Sequence, residues 1–109
     1  LRQQVAGRYD ELIREAGIDS TPYIEPHNTS VYAQYTIRVP NRDELRARLA
    51  EAGVPTAVHY PLTLNRQPAV VHSECLLPVA EKAAGEVVSL PMHAYLDSDL
   101  AQTVVRSAF

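Results

Sequence analysis

The stretch that decides the fold is Val31-Tyr32-Ala33-Gln34-Tyr35-Thr36-Ile37-Arg38-Val39, closed by Pro40. Its residues alternate: Val31, Ala33, Tyr35, Ile37 and Val39 fall on one side of a pleated chain, and Tyr32, Gln34, Thr36 and Arg38 on the other. Such alternation predicts a strand with one face in a core, with Tyr35 inside and Tyr32 available on the opposite face. Pro40 ends it, because proline cannot donate to a ladder.

Helical patterns flank this strand. Upstream, Val5, Tyr9, Leu12, Ile13 and Ala16 share one face of a 3.6-residue period, Asp10 and Arg14 pair at i,i+4, and Gly17 supplies a left-handed stop. The connection from Ile18 to Ser30, with Pro22 and Pro26, reads as extended. Downstream, Asn41 with Glu44 predicts a capping pair. Leu45, Leu49 and Ala52 line the helix behind it, Glu44 and Arg48 pair outside, and Gly53 and Pro55 close it. Thr56 to Tyr60 reads as a short strand ended by Pro61, and Leu62 to Leu76 as irregular with a helical turn. Pro78 opens a third helix, Val87 to Leu90 forms a third strand stopped by Pro91, and Asp97 caps a last helix presenting Leu100, Val104, Val105 and Ala108. The pattern is α-β-α-β-α-β-α: an α/β small domain of α+β type, with about three strands and helices on one face.

The 109 residues, 46% hydrophobic and 21% charged, fit one globular domain that buries roughly two thirds of its unfolded surface. A formal charge of -3 gives no general attraction to phosphate backbones, so nucleic acid is not an expected partner. No apolar run approaches the ~18 residues of a membrane helix, so no membrane is expected either. The single Cys75 excludes an internal disulfide framework and points to a reducing compartment. The chain opens at Leu1, without Met and inside a helical pattern, and reads as a piece of a longer protein.

Chemistry-bearing motifs are few. His27, His59, His72 and His93 are scattered, and His72 with Cys75 supplies two ligands where a metal site needs more. Cys75 has no basic neighbour to activate it, so a buried or inert thiol is expected. There is no G-x-S-x-G, and the four glycines stand singly rather than in a phosphate-cradling loop. What remains is His59-Tyr60-Pro61, where a proline fixes how a switchable donor/acceptor and a hydroxylated ring project from a strand end. This suits a phosphate, sugar or nucleotide; a hydrogen-bonded His and a half-buried Tyr are the plainer alternative. Leu90-Pro91-Met92-His93 repeats the design, and the two ends could share one rim. Arg38 and Arg66 are able to grip a carboxylate or phosphate, although exposed arginines are usually only solvated. Lys82, on an Ala-rich helix beside Glu81, lacks the dry pocket of a Schiff-base lysine.

In this order, Ser30 to Ile37, Asn41 to Leu45, Ala52 to Pro61 and Leu90 to His93 resemble the C-terminal domain of the DegT/DnrJ/EryC1/StrS aminotransferases, from about Arg8 to the last helix. The resemblance implies the small domain of an aspartate-aminotransferase-fold enzyme over residues 1–109, with the large cofactor-binding domain absent. It implies a dimeric, cytoplasmic parent that uses pyridoxal phosphate to move an amino group from glutamate to a keto group of a nucleotide-linked sugar. The Gly53 to Pro61 run is most similar to members acting on UDP-linked 3-keto-glucuronic acid derivatives. His59 and Tyr60 become substrate contacts, and Asn65, standing where many relatives have a His that follows Pro-Leu, is a third substrate-binding candidate that can still hydrogen-bond. No catalytic, cofactor-binding or metal-binding residue is implied here, so the chain alone is expected to be inactive. Stand-alone nucleotide or sugar binding, or a protein-docking role for the Tyr32 face, are the rival readings.

Overall fold

A computed structural model describes residues 1–70 and 74–109; His72 lies outside the described residues. Among these the order is α1 (Arg2–Glu15), β1 (Tyr35–Arg38), α2 (Arg42–Glu51), a 3-10 turn (Leu64–Arg66), α3 (Pro78–Glu86), β2 (Val87–Leu90) and α4 (Ser98–Ala108). β1 and β2 pair antiparallel, Tyr35 opposite Leu90 and Ile37 opposite Val88. These four side chains form the inner face of the sheet and are buried. α1 packs on α4, α4 on α2, and α2 reaches β2, so the core lies between the sheet and these three helices.

The glycine stops form as the sequence predicts. Gly17, at φ +76, donates to Arg14 O at 2.9 Å, and Ile18 donates to Ile13 O at 3.1 Å. Gly53, at φ +75, donates to Ala50 O at 3.0 Å, and Val54 to Leu49 O at 2.8 Å. Both are six-residue caps that satisfy the orphan carbonyls and need a residue free to adopt positive φ. Asp97 caps α4, its Oδ1 accepting from Leu100 N at 2.7 Å. The Asp10–Arg14 pair forms at 3.8 Å.

Several expectations are corrected. The three-stranded sheet has two named strands among the described residues. The 56–60 segment contributes an isolated bridge, in which Ala57 and Ser89 exchange backbone bonds of 3.2 and 2.8 Å. Pro55 and Pro61 bracket it, and each removes a donor. β1 begins at Tyr35, not Val31: Tyr32 adopts φ +46, which breaks the alternation and leaves Val31 exposed. Tyr32 packs against the core instead of the opposite face. Asn41 makes no cap bond; its Nδ2 donates to Glu44 Oε2 at 3.2 Å. Arg48 turns from Glu44 and donates to Ala108 O at 3.0 Å. Ala101, not Leu100, completes the buried face of α4, and Ala16 and Ala52 are exposed beyond their helices. α3 buries no residue.

Candidate functional site

The outer face of the sheet is built by register. Thr36 lies opposite Ser89, their hydroxyls sharing a 2.8 Å hydrogen bond, and the Ala57 bridge flanks Ser89 on its other side. A groove of about 260 Å³ crosses this face, lined by Gln34, Ala57, His59, Ser89, Pro91 and Met92. The two proline-terminated segments therefore do meet. His93 stays outside this groove; it is exposed and its Nδ1 accepts from Tyr95 N at 3.2 Å.

A second groove, of about 480 Å³, runs between the loop after His59 and α3, with Tyr60, Leu62 and Leu64 facing Ala80, Ala83 and Ala84. His59 borders both grooves. Its ring meets Tyr60 edge-on, centroids 5.7 Å apart, and Tyr60 is 73% exposed. Pro61 limits the backbone of Tyr60, so a solvent-facing aromatic is presented from a restricted chain.

Asn65, the third candidate, lies on the 3-10 turn. It is buried, and its Nδ2 donates to Cys75 O at 2.9 Å and to Glu81 Oε1 at 3.2 Å; its Oδ1 is buried without a partner. Arg66 Nε donates to the same Glu81 oxygen at 3.0 Å. The bonds from Arg66 and then Asn65 hold the Glu81 carboxyl below the usual carboxylate range. These residues fasten the loop to α3 rather than line either groove. Arg38 is likewise committed: its Nη2 and Nε bond Glu86 Oε2 at 2.7 and 3.2 Å.

Ser89 and Gln34 were not singled out from the sequence as site residues. A serine inside the apolar run Val87-Val88-Ser89-Leu90 was a legible signal for Ser89. Gln34 had none, because its placement depends on the backbone at Tyr32. Among the described residues no group of three or more His, Cys, Asp or Glu side chains could hold a metal ion, and no helix is long and apolar enough to cross a membrane. Cys75 is exposed. The residues present do not fit the pyridoxal phosphate that the resemblance implies for a parent protein. Lys82 is the chain's one lysine, and its side chain is 73% exposed, 3.9 Å from Glu86. An imine-forming lysine needs a desolvated pocket.

Known proteins share this sequence and fold. The chain is 58% identical over 98 residues to the UDP-2-acetamido-2-deoxy-3-oxo-D-glucuronate aminotransferase of Pseudomonas aeruginosa, a match covering 90% of this chain and 27% of that protein. It is 45% identical over 109 residues to a pleiotropic regulatory protein of Geobacillus stearothermophilus, covering 95% and 29%. The fold matches the crystal structure of S. venezuelae DesV with a TM-score of 0.88 at 32% identity, covering 97% of this chain and 29% of that one. The chain thus spans less than a third of the length of these relatives. The description of the DegT/DnrJ/EryC1/StrS aminotransferase family matches residues 1–108, and the chain belongs to that family.

Proposed function

We propose that this chain is the substrate-side, C-terminal domain of a nucleotide-sugar aminotransferase, and that the sugar is a UDP-linked 2-acetamido-3-oxo-glucuronate. The observation that carries the reading is the 58% identity to the P. aeruginosa aminotransferase over 90% of the chain. The family is in general pyridoxal-phosphate dependent. In the proposed parent the cofactor, its lysine and its phosphate-binding residues belong to a large domain outside residues 1–109. Glutamate is the amino donor, the enzyme is a cytoplasmic homodimer, and this chain alone does not transaminate.

His59 and Tyr60 contact the nucleotide sugar from the rim of the two grooves. A solvent-facing ring with a hydroxyl stacks on a base or sugar face while donating one hydrogen bond, and His59 adds a donor/acceptor beside it. Asn65 serves the site indirectly, by tying the 3-10 turn to Cys75 and to Glu81 of α3. In the full-length protein, Tyr60→Ala should raise the KM for the nucleotide sugar several-fold and leave the KM for glutamate unchanged, as measured by steady-state kinetics. Unchanged constants for both substrates would remove Tyr60 from the site. A titration of the isolated chain with pyridoxal phosphate should show no saturable absorbance change.

A further inference from the structure

The residue that enters the outer groove just before β1 is delivered by a strained turn. Tyr32, a bulky aromatic, sits at φ +46, a region that side-chain-bearing residues rarely adopt. The turn is held from both sides. Arg2 Nη1 donates to Tyr32 O at 3.0 Å and to Ala33 O at 3.1 Å, Tyr32 N donates to Ser30 Oγ at 3.1 Å, and Gln3 Nε2 donates to Ser30 O at 3.1 Å. The Tyr32 ring stacks on Tyr35, with centroids 6.2 Å apart. Strain maintained by so many contacts is the pattern of a site-forming segment. Its product is Gln34, exposed on the outer face with an amide that makes no hydrogen bond among the described residues. Around it the groove is lined by the small or flexible apolar groups of Ala33, Ala57, Pro91 and Met92.

An amide beside a small apolar surface is the complement of an acetamido group. The Gln34 Nε2 can donate to the acetamido carbonyl while its Oε1 accepts from the acetamido N–H, and the methyl rests against Met92 and Ala33. A hydroxyl in the same place satisfies one of the two bonds. We propose that Gln34 determines specificity at the sugar site, selecting a 2-acetamido over a 2-hydroxy substituent, and that Arg2 is its positioning residue. This rests on the function proposed above.

The test uses the full-length protein, assayed in reverse from the 3-amino UDP-sugar and 2-oxoglutarate, with the 2-acetamido and 2-hydroxy sugars compared. The wild type should prefer the acetamido sugar. Gln34→Leu should raise its KM roughly five- to tenfold and the 2-hydroxy KM only about two- to threefold, with kcat within about twofold, as the loss of two neutral hydrogen bonds against one predicts. Arg2→Ala should shift the same ratio in the same direction, and the melting temperature of Gln34→Leu should match the wild type. Unchanged discrimination in Gln34→Leu, or equal loss on both sugars, overturns the assignment while the proposed function stands. A wild type that turns over neither sugar overturns both.

Discussion

Tyr35 joins three parts of the molecule through one side chain. Its ring lies 4.9 Å from that of Tyr9 on α1, its other neighbour is Tyr32, and its hydroxyl donates to Asp10 Oδ1 at 2.6 Å. Tyr9 in turn donates to Pro91 O at 2.8 Å, tying α1 to the end of β2. Burial, and for Tyr35 also the bond to Asp10, pushes both phenols well above their ordinary value. A raised acid favours the neutral form in the fold, so this stability is complete below the unfolded value of about 10 and is lost as pH rises beyond it. Thermal melts followed by circular dichroism should therefore hold steady from neutral pH to about 9 and fall above about 10. Tyr35→Phe should flatten that fall while costing about 1 kcal/mol at neutral pH. The burial of Tyr35 was legible in the alternation of its neighbours. The left-handed turn at Tyr32 was not, since alternation carries no sign of φ and no glycine marks the place.

The elements differ in how their ends are made, and this separates helices that the sequence renders alike. Both Asp97 and Asn41 stand where a cap is expected, yet only Asp97 bonds a helical N–H. Asp97→Ala should lower the unfolding free energy by about 1 kcal/mol, whereas Asn41→Ala should change it by a few tenths, as read from urea titrations. A comparable loss at both positions would show that the Asn41–Glu44 contact stabilises α2 as well as a true cap does. The glycine stops were legible because the Gly17 and Gly53 caps are local structures. The residue types of the 56–60 segment suit a strand, but the prolines around it leave one bridging position.

Across the whole molecule, burial is uneven. Leu49 is fully buried in the core, whereas Val79 is 77% exposed on α3. Leu49→Ala should destabilise the chain by about 2–5 kcal/mol through lost burial and a cavity, and Val79→Ser should stay within about 0.5 kcal/mol. Denaturant unfolding of both variants checks the contrast; a large cost at Val79 would mean that α3 packs more tightly than its exposure shows. The sequence by itself determined the helices, their glycine stops, the apolar half of β1 and the family resemblance, because periodicity, capping and motif order are written in neighbouring residues. Tertiary structure alone decided that Tyr32 turns inward, that Asn65 is buried against α3, and that Gln34 and His59 line one groove. Those outcomes depend on pairing between β1, β2 and the Ala57 bridge and on the grip of Arg2 on a turn thirty residues away, contacts that no local pattern encodes.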